Sequence, residues 1–386
     1  MATKQQNQSA TVISKKKILL VGDYSNCHRT LRDALRRLGH DVTLISNGSG
    51  FQDTERDIDM SRAEGKLAGA TYFLKWRYRM KHVMTGNDVV VLQNPHFMTQ
   101  RPSRLKIMFD FLKRENGKIF LTAAGTDCAY IKSCLTSDYP LRYNDFVIDG
   151  KPSPYAVASP EYIRDWTTPT MQAYNDHIYN NVDGIATILY EYDVAVRHYL
   201  KGSGPKVEYC GIPIDTGRLQ PVPDPGVPET VKLFLGRHRG RYAEKGTDLL
   251  EQAAKTVVAR HPGRCSLEII EDRPYAEYVN LQRSSHLILD QIYSYTPATN
   301  AMIAMAQCLN VVSGGEPEFY DFIGERENRP VINAPVTLDA LTEVLDDAVC
   351  HPELIAERGR RSREFVIKHN DADLVARRFL KLWFGE

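Results

Sequence analysis

No stretch of the sequence approaches the ~20 consecutive apolar residues of a membrane helix, and the opening MATKQQNQSATVISKKK has no apolar segment ahead of its basic run. The expectation is a cytoplasmic chain with neither spanning helix nor secretory leader. Charge of one sign is also missing: 49 Lys and Arg face 48 Asp and Glu, so the net +1 creates no whole-molecule field for nucleic acid. The seven cysteines form no C-x-x-C pair, which excludes a redox motif or zinc ribbon and suits reduced thiols. The 11 histidines show neither H-x-H nor H-E-x-x-H spacing, so no metal centre is expected. Neither G-x-G-x-x-G nor a P-loop follows any candidate strand, and the first strand-to-helix turn reads VGDYSNCHR. Dehydrogenase and NTPase readings therefore lack their phosphate loops.

What is present is two rounds of strand-helix alternation. KILLV (17–21) is a short apolar run. Leu31, Leu35 and Leu38 then repeat at helical spacing, Gly39 offers a C′ residue of positive φ, and DVTLI resumes as a strand. Further strands are expected at 88–92, 118–122 and 184–189, with a helix over 103–115 between them. In LQPVPDPGVPET, Pro221, Pro223, Pro225 and Pro228 deny both helix and central strand, marking a linker. Beyond it the pattern returns: strands at 231–236, 266–270, 286–290 and 310–313, and helices near 246–259, 276–283 and 299–307. The expected fold class is α/β, with two doubly wound Rossmann-like domains facing across a cleft. The expected divisions are a disordered N-terminus 1–16, a first domain 17–215, a linker 216–230, a second domain 231–365 and a terminal helix 366–386 whose apolar side packs back on the first domain. Such a pair of sheets places ligands at the carboxyl ends of its strands, between the domains.

The segment best suited to chemistry is FLGRHRGRYAEKGTDLLEQAA (234–254). A strand end delivers Gly236, Arg237 and Arg241 to the crevice, Lys245 adds a point charge, and the next helix offers free N–H groups and its positive dipole end. Phosphate fits this geometry; a solvated basic loop is the plainer alternative. Thr296, Pro297, Thr299 and Asn300 follow another strand, where small hydroxyls and backbone N–H groups meet phosphate or cap a helix. Two D-x-D sequences, Asp57-Ile58-Asp59 and Asp371-Ala372-Asp373, read as a polar loop and helix N-terminal acids, so no metal is expected at the site. KWRYRMKH (75–82) and RPSRLKIMFDFLKR (101–114) interleave basic with apolar side chains, which suits a peripheral contact with the inner face of a membrane or a solvated helix face.

The 234–254 segment resembles the G-R-x-x-x-x-K-G stretch of retaining family 4 glycosyltransferases of GT-B fold, with three extra residues. LRRLGHDVTLIS, TAAGTD (122–127), YCGIPIDTGRLQP (209–221) and AMIAMAQCLNVVSGGEPEF (301–319) resemble the family's other landmarks in order. The resemblance covers residues 17 to about 320. It implies transfer of a sugar from a UDP- or GDP-sugar to a glycan or lipid-linked acceptor, in surface polysaccharide or glycolipid synthesis, without a cofactor. It also implies that Arg237 and Lys245 hold the donor diphosphate. Gly22 and the turn Asp23, Tyr24, Ser25, Asn26 would approach the sugar or acceptor from one side, with Gly125, Thr126 and Asp127 on the opposing lip. The family's glutamate pair is replaced by Tyr295 and Ile303. Glu316 and Glu318, after the Gly314-Gly315 turn, are expected to take over part of that work at the donor, or else to serve the dipole of the helix they open. A nucleotide-sugar epimerase, or a nucleotide-sugar-binding scaffold without turnover, would use the same fold.

Overall fold

The computed structural model describes residues 14–49, 53–237, 240, 242–271 and 275–385. Its first sheet has seven parallel strands: β1 (Lys17–Val21), β2 (Asp41–Ser46), β3 (Ile58–Asp59), β4 (Val89–Leu92), β5 (Lys118–Ala123), β8 (Gly184–Thr187) and β9 (Val207–Tyr209). They lie in the order β3-β2-β1-β4-β5-β8-β9. Between β5 and β8 the chain leaves the sheet for a small antiparallel hairpin, β6 (Val147–Ile148) with β7 (Lys151–Pro152), and for helices Pro154–Ala158, Pro160–Trp166 and Pro169–Tyr179. The second sheet orders β10 (Val231–Arg237), β11 (Cys265–Glu271), β12 (Leu287–Leu289), β13 (Asn310–Ser313) and β14 (Ile332–Asn333) as β11-β10-β12-β13-β14, again all parallel.

Apolar runs explain both sheets: the strand interiors of β1, β4 and β12 are wholly buried, as strands covered by helices on both faces must be. Residues 217–230 carry neither helix nor strand, as four closely spaced prolines require. The helix Ile355–Asn370 stops where Asp371 turns extended and accepts the N–H of Asp373, opening a new helix, Ala372–Phe384. That last helix crosses back to the first sheet. Trp383 packs on Phe120 with ring centroids 6.2 Å apart, Lys118 Nζ donates to the Trp383 carbonyl (3.0 Å), and Arg37 holds Asp373 (2.6 Å). Asp57 is bound by Arg36, Arg32 and the Leu44 N–H, and Asp371 and Asp373 are engaged as described, so neither D-x-D carboxylate pair faces a ligand space.

No described helix is long and apolar enough to cross a membrane. In the two basic-apolar stretches Trp76 is fully buried, while Tyr78 and Ile107, and Leu74 just ahead of the first stretch, are exposed and Arg77 lies 4.1 Å from the centre of the Phe111 ring.

Candidate functional site

Both sheets turn the carboxyl ends of their strands toward one cavity of about 670 Å³. On the first-sheet side it is lined by the loop after β1 (Asp23, Tyr24, Ser25), by Ala124, Gly125 and Thr126 after β5, and by Glu191 at the start of helix Tyr190–Leu200. On the second-sheet side it is lined by Glu244, Lys245, Tyr293, Ser294 and Thr299.

Lys245 reaches the cavity because of the residue after it. Gly246 is left-handed (φ 65°), and a Cβ there would come within 2.3 Å of Ile292. Only glycine fits, and the Lys245 carbonyl accepts the Ile292 N–H (3.1 Å). The short helix Tyr242–Lys245 ends on this residue, and helix Thr247–Arg260 begins just after it with Gly246 as its N-cap. Lys245 is the one basic side chain lining the cavity among the described residues, and its Nζ is 3.9 Å from Asp290 Oδ1. Asp290 is itself held by Asn300 Nδ2 (3.1 Å) and Ser313 Oγ (3.1 Å).

The carboxylates opposite are buried. Burial pushes Asp23 up to about 6 against the pull of the His28 and Arg29 N–H groups. Its Oδ1 accepts the His28 N–H (2.9 Å), whereas Oδ2 has no protein partner. Glu191 is raised by burial to about 7, with the hydrogen bond from Thr296 Oγ1 (2.7 Å) pulling the other way. His28 is buried and lowered to about 3, hence neutral, between the Gly22 carbonyl (2.8 Å) and Thr122 Oγ1 (3.1 Å).

Of the residues expected at the site, Asp23, Tyr24, Ser25, Gly125, Thr126, Lys245 and Thr299 line the cavity. Thr299 also faces Cys27 Sγ across the gap at 4.0 Å. Gly22 and Asn26 support the same loop from behind, Gly22 through its N–H to the Ile45 carbonyl (2.8 Å) and Asn26 as the left-handed N-cap of Cys27–Arg37. Asp127 points into the fold instead. It caps Cys128–Cys134 through the Tyr130 N–H (2.7 Å), accepts Tyr179 Oη (2.8 Å), and is raised by burial to about 6.

Several expected donor-side residues are turned elsewhere. Arg237 forms ion pairs with Glu251 and with Glu271 (2.9 Å), its neighbour in the β10–β11 register, so its charge is already compensated away from the cavity. Gly236 packs under the Tyr278 ring, and Arg241 lies outside the described residues. Tyr295 stacks on Tyr143 (centroids 4.6 Å) and its Oη accepts the Arg142 N–H (2.8 Å). Thr296 bridges Glu191 and the Tyr190 N–H, Pro297 is buried, and Asn300 is bound by Tyr278 Oη (2.9 Å) and Gln282 Nε2 (3.2 Å).

Glu316, expected at the donor, is engaged within the protein. Its carboxylate takes Arg142 Nη2 (2.5 Å), Tyr143 Oη (2.8 Å) and Asn333 Nδ2 (3.0 Å), and Glu318 takes Arg142 Nε (3.0 Å). Gly314 and Gly315 serve this packing, since a Cβ on Gly314 would strike the Ser294 carbonyl at 2.2 Å and one on Gly315 would meet Val331 at 2.9 Å. Neither glutamate lines the cavity.

Sequence reasoning missed an aromatic wall. Tyr155, Tyr162 and Trp166 come from the two short Pro-initiated helices after β7, with successive ring centroids 5.9 and 6.0 Å apart, and all three line the cavity. The run PSPYAVASPEYIRDW carried the signal, two Ser-Pro helix starts each followed by aromatics.

Two parallel α/β sheets facing across a cleft, tied by a terminal helix that returns to the first, define the GT-B fold of glycosyltransferases. No family model and no curated protein sequence matches the chain. Solved structures do. Sucrose-phosphate synthase from Thermosynechococcus elongatus superposes with a TM-score of 0.60 at 12% identity, over 95% of this chain and 98% of that one. Anabaena HepE in complex with UDP-glucose gives 0.60 at 10% identity, over 96% and 100%. WaaG, a glycosyltransferase involved in lipopolysaccharide biosynthesis, gives 0.52 at 12%, over 96% and 100%. The fold they share extends over nearly the whole of this chain.

Proposed function

We propose that the chain is a glycosyltransferase that moves a sugar from a UDP- or GDP-sugar to a hydroxyl of a glycan or lipid-linked acceptor, with retention and without a metal at the diphosphate. The observation that carries this is Lys245: a cation that lines the inter-sheet cavity of a GT-B fold, two residues before the first residue of helix Thr247–Arg260. The ammonium and the helix N–H groups compensate the diphosphate as charge gathers on it, which fixed donors do without reorganising. The bond from the anomeric carbon to the phosphate oxygen breaks and its electron pair leaves with the diphosphate. The acceptor oxygen bonds to that carbon, and its proton passes to the departing phosphate oxygen. Asp23 and Glu191 are placed to take hydrogen bonds from sugar hydroxyls, and the rings of Tyr155, Tyr162 and Trp166 offer apolar faces to a pyranose. Leu74, Tyr78 and Ile107, set among basic side chains, suit an acceptor presented at a membrane surface.

A second reading, a nucleotide-sugar-binding scaffold, is favoured by Tyr295 and Ile303 at the glutamate positions and by the engagement of Glu316 within the protein. Calorimetry with UDP, GDP and ADP, followed by incubation of the preferred donor sugar with glycan and lipid-linked acceptors, decides between them. Diphosphate released only when acceptor is present marks transfer, and binding without release marks the scaffold. The same titration repeated in excess chelator tests metal independence: loss of binding, restored by magnesium or manganese, would refute it.

A further inference from the structure

Helix Thr247–Arg260 starts at the cavity and runs back along the second sheet. Its 14 residues carry the chain ~20 Å, to the opposite edge where β11 begins. There it meets the end of helix Leu338–Cys350, on which it packs. Three side chains converge at these two helix ends. His261 Nε2 lies 3.0 Å from Asp346 Oδ1 and 3.8 Å from Cys350 Sγ, and all three atoms fall within 4.8 Å of one another. Cys265, at the first position of β11, turns its Sγ toward the His261 carbonyl at 3.9 Å.

We propose that His261, Asp346 and Cys350 form a zinc site that staples these two helix ends, with solvent at the fourth position. A tetrahedral zinc with N, O and S ligands at ~2.0–2.3 Å requires ligand atoms ~3.3–3.8 Å apart. The two distances from His261, 3.0 and 3.8 Å, lie within a few tenths of an ångström of that range, and Asp346 and Cys350 are within 4.8 Å of each other, so side-chain rotation must bring that third pair to the metal. Imidazole with thiolate selects a borderline-soft ion over magnesium or calcium. Thiolate and carboxylate together balance its two positive charges, and both helices turn the negative ends of their dipoles toward it, His261 being the C-cap of one and Cys350 the last residue of the other. Arg260 reaches the same carboxylate at 3.5 Å, but its side chain is 54% exposed and swings into water without leaving a buried charge. Metal-motif searches pass over the site because its ligands arrive from segments 85 residues apart.

The test uses the full chain stripped with chelator. Zinc is titrated against a chromogenic competitor, and cobalt replaces it for absorption spectra. One equivalent of zinc is expected to bind and raise the melting temperature, and cobalt is expected to give a thiolate charge-transfer band. Cys350→Ser should abolish that band, and His261→Gln should weaken zinc binding at least ~10-fold, as loss of a ligand must when loss of a supporting partner costs that much. Cys308→Ser, in the same half of the chain but apart from the cluster, should change neither. Absence of saturable zinc uptake by the wild-type chain, which requires no variant to fold, would overturn the proposal. So would a cobalt band unchanged in Cys350→Ser. The outcome is independent of whether the cavity proves to transfer sugar.

Discussion

Where Thr299 faces Cys27, the two halves of the molecule leave a cavity of about 670 Å³; where Tyr295 meets Tyr143, they are packed shut. The open seam carries a weakly paired ammonium, a carboxylate oxygen without a protein partner and several half-buried rings. The closed seam satisfies its polar groups internally, with Arg142 forked over Glu316 and Glu318 and the Tyr295 hydroxyl receiving two backbone N–H groups. Buried polar atoms that lack protein partners mark where a ligand belongs, and satisfied ones mark where the fold is holding itself together. Asp23 Oδ2 meets that criterion at the cavity, whereas Glu316, Glu318 and Tyr295 are engaged within the protein at the closed seam.

The largest effect should come from the open seam. Lys245→Ala is expected to lower transfer ~10²–10³-fold with the melting temperature unchanged, the loss typical of one preorganised charge donor. Arg237→Ala, by contrast, should act on stability, because it releases Glu251 and Glu271 from their shared partner while leaving the cavity lining intact. Steady-state rates and melting curves of the two variants side by side check the contrast, and a change within threefold for Lys245→Ala would move the diphosphate site elsewhere.

At the closed seam, Arg142→Ala leaves Glu316, whose side chain is 8% exposed, with only Tyr143 Oη and Asn333 Nδ2. Breaking a buried pair outright costs 3–5 kcal/mol, but Arg142 is itself 58% exposed and two donors remain, so ~1–3 kcal/mol is expected. Donor affinity should stay within threefold of wild type. A tenfold loss of affinity at unchanged stability would return Glu316 to the donor.

These two seams were not equally legible in the sequence. Lys245 could be found because strand, turn, Lys-Gly and helix follow one another within about fifteen residues, so local rules suffice. Arg142 and Glu316 are 174 residues apart, and no spacing rule links them; the same Gly-Gly-Glu-Pro-Glu turn suits a ligand or a neighbouring loop equally well. The ion pairs of Arg237 were illegible for a related reason. Its partner Glu271 is set by the β10–β11 register, which depends on how the sheet assembles rather than on either strand alone. The sheet order itself was within reach of the β-α-β alternation, whereas the excursion from 139 to 179 that supplies the aromatic wall and Arg142 carries no long periodicity. Glu191 was passed over because an acid in a helix's first turn is ordinary; only its burial against Thr296 distinguishes it.

That burial makes a pH-dependent prediction at the open seam. Glu191 sits at about 7 in the folded chain against an ordinary value of 4.5, so the folded state holds its proton more tightly. The stability this contributes is complete below about pH 4.5 and is lost as pH rises through about 7. Glu191→Gln should therefore match wild type in stability at pH 4 and exceed it at pH 8.5, by on the order of 1–3 kcal/mol. A constant difference across that range would mean that Glu191 is solvated in the folded chain.

The smallest effect should fall at the rim of the closed seam, on Glu318. Its carboxylate is 39% exposed, pairs with Arg142 Nε at 3.0 Å, and stands in the first turn of the helix Pro317–Phe322. Two favourable contributions act on it, attraction to the guanidinium and to the helix N-terminus, each worth ~0.3–1 kcal/mol at a wet site and both weakened by salt. Glu318→Gln is thus expected to lower stability by ~0.5–1 kcal/mol at low ionic strength, less at 0.5 M salt, and to leave donor binding untouched. Making the same change in Arg142→Ala separates the two contributions: the dipole share persists there and the ion-pair share does not. If Glu318→Gln cost the same in both backgrounds, the fork of Arg142 would be closing on Glu316 alone. If instead it weakened donor binding, the boundary between the open and closed seams would have to be redrawn to include the helix Pro317–Phe322.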